Sequence, residues 1–160
     1  MSFCRRRYAA LVVWVALTSA ATGAQALIVV NQPWVRPAAA GRSTEAYMNL
    51  TSTEDATLIA VRSDGAAAVT LRGRGNDAGA TAQLALPAGA IVELAPGKDR
   101  FSLRRLAKAV KLGDVVPLTL TIRGSDGTRQ DIAVNAVARL RSPVDDERRA
   151  HRHRHNVAEP

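Results

Sequence analysis

The chain is poor in the residues that perform chemistry. Its single cysteine, Cys4, lies near the N-terminal end, and residues 27–150 contain no histidine. Without a thiol there is no disulfide, no thiolate metal site and no cysteine nucleophile beyond residue 4, and a blue-copper site, which needs a Cys ligand, is excluded. Without imidazole no Ser-His, Cys-His or His-based metalloenzyme site can be assembled between residues 27 and 150. The acidic pairs Glu54-Asp55 and Asp145-Asp146 stand in polar stretches, where adjacent acids are solvated loop residues. Nothing here points to an enzyme. Aromatic residues make up only 4% of the chain. The stacking platforms of single-strand nucleic-acid binders are therefore missing, and nucleic acid is not an expected partner.

Long hydrophobic runs are missing as well. The longest, residues 8–17, has ten residues, whereas a membrane span needs ~20. It follows Arg5, Arg6 and Arg7 and precedes Ala24-Gln25-Ala26. A basic segment, a short apolar run and a small-x-small site together predict a cleaved export signal over residues 1–26. Cys4 precedes the apolar run rather than following it, which argues against a lipoprotein anchor. The expected location is periplasmic or secreted. The net charge is +8, and removing the three leader arginines leaves +5. The remaining 134 residues suffice for one domain with a modest core.

Strands dominate what is present. Ala46, Met48 and Leu50 alternate with Tyr47, Asn49 and Thr51. Leu118, Leu120 and Ile122 alternate with Thr119, Thr121 and Arg123. Ile132, Val134 and Ala136 alternate with Asp131, Ala133 and Asn135. A period of two with β-branched residues is the half-buried strand pattern. Gly124-Ser125-Asp126-Gly127 between the last two runs predicts a hairpin. Strands are expected near 27–31, 45–52, 57–62, 67–72, 80–86, 90–94, 99–104, 115–123 and 130–138, with mild helical character at 103–110. The fold class is all-β, an antiparallel β-sandwich over residues 27–138. From residue 139 onwards charge is dense and apolar residues are sparse, which predicts a disordered basic tail over 139–160.

One framework is more specific. Pro87-Ala88-Gly89, Val92-Glu93-Leu94-Ala95-Pro96-Gly97, Lys111-Leu112-Gly113-Asp114 and Val116-Pro117-Leu118-Thr119-Leu120-Thr121 resemble the periplasmic copper(I) chaperones of the PCu(A)C family. Trp34-Val35-Arg36 and the strand beginning Ala46-Tyr47-Met48-Asn49-Leu50 extend the likeness, which covers residues 31–138. The resemblance implies a cupredoxin-like sandwich and a Cu(I) site. Where the family has His-x-Met, however, this chain has Arg100-Phe101-Ser102. Where its first ligand histidine follows a strand, Arg72 follows Val69-Thr70-Leu71. In place of its Met-rich loop stands Gly73-Arg74-Gly75-Asn76-Asp77-Ala78-Gly79. Arg100 and Ser102 still share a strand face, but Arg offers only donors and a fixed positive charge, and Ser offers a hard oxygen. Met48 falls with Ala46 and Leu50 and reads as core.

The remaining candidate ligands are His151, His153 and His155, interleaved with Arg152 and Arg154. A His-x-His-x-His tract suits Cu(II), Ni(II) or Zn(II). Two functions follow. One is an exported copper-chaperone-like protein with a degenerate Cu(I) site, in which any metal is carried by this tail and the partner is a copper-accepting or envelope protein. The other is a sandwich that has lost copper and contacts a protein or envelope surface through Arg72, Arg74, Arg100, Arg104 and Arg105. A tail of Arg and His also suits a weak hold on an anionic membrane surface.

Overall fold

A computed structural model describes residues 26–74 and 79–143. Ten strands are found there: β1 (Ile28–Val35), β2 (Thr44–Ser52), β3 (Ala56–Arg62), β4 (Ala66–Arg72), β5 (Ala80–Thr81), β6 (Leu84–Leu86), β7 (Ile91–Leu94), β8 (Arg100–Leu106), β9 (Val115–Gly124) and β10 (Arg129–Ala138). They form one curled sheet in the order β5-β4-β8-β2-β1-β10-β9-β3-β6, with β7 also on β2. The all-β sandwich read from the sequence is what forms. The leader call and most of the tail call concern residues outside those described.

Alternation builds the core. Ala46, Met48 and Leu50 from β2 meet Phe101 and Leu103 from β8 and Leu118, Leu120 and Ile122 from β9, all but fully buried. Met48 is a core residue, as its place in the strand pattern predicts. The β9–β10 hairpin turns at Gly124-Ser125-Asp126-Gly127, with Gly127 at a φ of 82° and Gly124 N donating to Thr128 O at 2.9 Å. Only glycine adopts that φ without steric cost.

Three local readings change. First, β1 extends to Val35 and joins the two halves of the sheet. It pairs antiparallel with β2 along its length, then places Trp34 and Val35 in parallel register with Val137 and Ala138 of β10. A register shift between Asn31 and Trp34, with Gln32 at a φ of 50°, re-aims the strand. A bulge of this kind lets one strand serve two layers. Among the described strand pairs this is the parallel one, and Ser52 and Ala88 add an isolated parallel bridge. Second, the run at 80–86 is two strands. β5 pairs β4 and β6 pairs β3, so the segment bridges the two open ends of the sheet. Third, residues 103–110 are not helical. β8 continues to Leu106, and Ala38 and Val110 then form an isolated bridge. Burial of Leu103 and Leu106 against the core outweighs the weak local helical preference.

Candidate functional site

Strand register places the residues that stand where the copper ligands were expected. Arg100 and Ser102 lie on the outer face of β8, because Phe101 and Leu103 between and beside them enter the core. On one side β4 sets Arg72 opposite Arg100 and Thr70 opposite Ser102. On the other side β2 sets Glu45 opposite Ser102. The three positions that the resemblance assigned to ligands are therefore brought together, two as arginine and one as serine.

Arg100 is not a surface residue. It is only 6% exposed. Its Nε donates to Glu45 Oε1 at 2.7 Å, and one terminal nitrogen donates to the carbonyl oxygens of Gly73 at 3.1 Å and Lys98 at 3.2 Å. A buried guanidinium needs such partners, since an uncompensated buried charge is costly. The exposed patch expected of Arg72, Arg74, Arg100, Arg104 and Arg105 is corrected here. Arg100 is enclosed, whereas Arg74, Arg104 and Arg105 are exposed.

Glu45 ties this arginine to an aromatic cluster. The Tyr47 hydroxyl donates to Glu45 Oε2. Residues 45 and 47 are two apart on one strand and so share a face. Tyr47 is fully buried on that face although it lies outside the central core. Trp34 stacks on it in a tilted arrangement, with centroids 4.4 Å apart. The Arg36 guanidinium sits 5.7 Å from the ring centre, within cation–π range.

The ionisation equilibria follow this geometry. Burial opposes the charged form of Glu45. Hydrogen bonds from Tyr47 and Arg100 and the charges of Arg100 and Arg36 outweigh it, and the carboxyl titrates below its ordinary 4.5. Burial first, and then the bond to Glu45 and its charge, push the Tyr47 phenol above its ordinary 10.0. At neutral pH the network is arginine cation, glutamate anion and neutral tyrosine. It is internally compensated, with the donors of Arg100 directed at oxygen atoms of the protein.

No three His, Cys, Asp or Glu side chains come together among the described residues. His151, His153 and His155 lie outside those residues, as do positions 75–78 of the shortened loop. The residues that sequence reading missed are Glu45 and Tyr47. Their signal was an acid and a tyrosine two apart on the outer face of a strand, and their partner Arg100 is 55 positions away.

A family model described as "Putative lipoprotein LpqE-like" matches residues 28–135. The chain belongs to the LpqE-like family. Its fold is shared with solved PCuAC domains. The apo PCuAC domain from PmoF1 is 20% identical, with a TM-score of 0.61 over 71% of this chain and 94% of that one. The copper-bound PCuAC domain from PmoF2 is 21% identical, with a TM-score of 0.58 over 71% and 93%. The Cu(I) form of DR1885 from Deinococcus radiodurans is 26% identical, with a TM-score of 0.54 over 76% and 85%. No curated protein matches the chain. The family likeness read from the Pro-Ala-Gly turn and the Val-Pro-Leu-Thr-Leu-Thr strand thus holds.

Proposed function

We propose that this is an exported, non-enzymatic, copper-chaperone-like protein in which the Cu(I) position of the domain has been closed by an internal ion pair. Any copper it carries is then held by His151, His153 and His155. The observation that carries this reading is the side chain of Arg100. It occupies a position assigned to a ligand, is buried, is bonded to Glu45 at 2.7 Å and faces Arg72 across the strand pair. A Cu(I) ion ~4 Å from one such cation would be opposed by about 4 kcal/mol at an effective dielectric of 20. That repulsion adds to the loss of the soft donors that Cu(I) prefers. The copper-bound relatives support the fold and the cargo class. The tail supplies the only imidazoles of the chain, and imidazole with backbone nitrogen suits Cu(II) better than Cu(I).

The test is Cu(II) titration of the chain from Ala26 to Pro160 beside one ending at Ala150. The longer form should bind one Cu(II) more tightly than the shorter, and the difference should fade as pH falls through the histidine range, because protonated imidazole has no lone pair to donate. Equal stoichiometry and affinity would remove the tail from the account. It would leave a domain without metal that docks on a protein or envelope surface as the better reading.

A further inference from the structure

The two ends of the sandwich differ in charge. At one end, β1 and β10 finish at Val35 and Ala138, β8 finishes at Leu106 and β9 begins at Val115. The loops there are tied together: Gly41 N donates to Leu106 O, Val110 N to Ala38 O and Gly113 N to Ala138 O. This end carries Arg42, Arg105, Lys108, Lys111, Arg139 and Arg141, all exposed, and none forms an ion pair with a described residue. Among the described residues its exposed acids are Asp64 and Asp114, and Asp114 already accepts the Lys111 backbone N–H at 2.8 Å. Among these cations project Leu112, Val115 and Leu140, at 60%, 56% and 70% exposure. Leu112 and Leu140 flank an open groove of about 630 Å³ that Val137, Ala138, Arg139 and Arg141 complete. The opposite end is mixed in charge, with Glu54, Asp55 and Asp126 beside Arg123 and Arg129, and exposes Leu27 and Ile91.

From this arrangement we infer that the basic end docks on an anionic phospholipid surface. Leu112, Val115 and Leu140 enter the interfacial region, and the surrounding cations meet lipid phosphates. Apolar side chains on protruding loops, ringed by Lys and Arg, are the layout of an interfacial anchor. A protein partner would call for enclosed pockets that seat its anchoring side chains, whereas this groove is open and its leucines point outwards. No cysteine follows Cys4, so the contact made by this end of the domain is non-covalent. The inference does not depend on whether copper is bound.

The test is vesicle co-sedimentation with the chain from Ala26 to Pro160. Every strand pair and core residue described above lies within that span. Vesicles of phosphatidylcholine with 30% phosphatidylglycerol are compared with phosphatidylcholine alone. Binding is expected only to the anionic vesicles and should weaken as salt rises. Lys111→Gln with Arg141→Gln should lower the partition coefficient by about tenfold, each cation near the surface being worth several-fold. Leu112→Ser with Leu140→Ser should lower it similarly. Ile91→Ser, an exposed apolar residue at the opposite end, should leave it unchanged. Circular dichroism verifies that each variant is folded, and a form ending at Pro143 removes residues 144–160, whose four arginines are balanced by four acids. The inference is overturned by equal binding to both vesicle types, by loss of all binding with the tail alone, or by no binding. Chain dimers that the Leu112/Leu140 variant dissociates, without vesicle binding, would also overturn it and make the end a self-association surface.

Discussion

Arg100 and Arg105 lie five residues apart on β8 and stand in opposite environments. Arg100 is buried beneath the outer face, bonded to Glu45 and to two carbonyl oxygens. Arg105 is exposed at the rim, with a φ of 50°. The difference shows that the positive charge of this chain does two jobs. In the middle of the sheet a cation is enclosed by the protein, at a position that the sequence resemblance assigns to a metal ligand. At the end of the sheet cations are left facing outwards. Residue type alone could not separate the two, because what divides them is whether an acid on the neighbouring strand reaches the same face.

The largest effect should come from breaking the enclosed pair. Arg100→Ala should lower stability by about 2–4 kcal/mol, since it removes the ion-pair partner of Glu45 and the donor to two carbonyl oxygens. Arg139→Ala at the rim should stay within about 0.5 kcal/mol. Urea unfolding of both variants measures the contrast, and equal losses would erase the distinction drawn here. Tyr47→Phe should cost about 1 kcal/mol, the usual net value of one hydrogen bond.

The same network sets a pH dependence. The folded pKa of Glu45 is depressed, so its contribution is present above 4.5 and is lost as pH falls through the folded value. The Tyr47 value is raised, so its contribution is present below 10.0 and is lost as pH climbs above that. The melting temperature should therefore decline on both sides, and Glu45→Gln should flatten the acid limb relative to the parent. An unaltered acid limb would mean that Glu45 is not held as described. The smallest change concerns Arg105→Gly. Glycine accepts a positive φ without steric cost but loses more entropy on folding. The net gain should be about 0.5 kcal/mol by thermal melting, and a loss would show that the Arg105 side chain contributes packing at the rim.

Much of the fold was legible because β-structure writes a period of two. The alternation at Leu118, Leu120 and Ile122 located β9, and Gly124 and Gly127 located its hairpin. Met48 fell on the core face by the same rule. The extension of β1 past its bulge was not legible, because Gln32 and Pro33 interrupt the pattern just where the strand changes partner. Nor was the split at residues 80–86, since five short positions can serve two edges and only tertiary pairing decides. Of the site, the shared face of Arg100 and Ser102 was legible, and so was the approach of Arg72, through the resemblance. Glu45 was not, because cross-strand register between β2 and β8 depends on the whole sheet rather than on either segment.

The proposed closure of the copper position is tested most directly by Cu(I) competition against a chelator. The chain from Ala26 to Pro143 is compared with the same chain carrying Arg100→His and Ser102→Met. The unmodified domain should not compete. The double variant should gain measurable Cu(I) affinity, because both side chains stand on one strand face, yet remain weak while Arg72 stays opposite residue 100. Tight Cu(I) binding by the unmodified domain, or no gain in a folded double variant, would contradict the account.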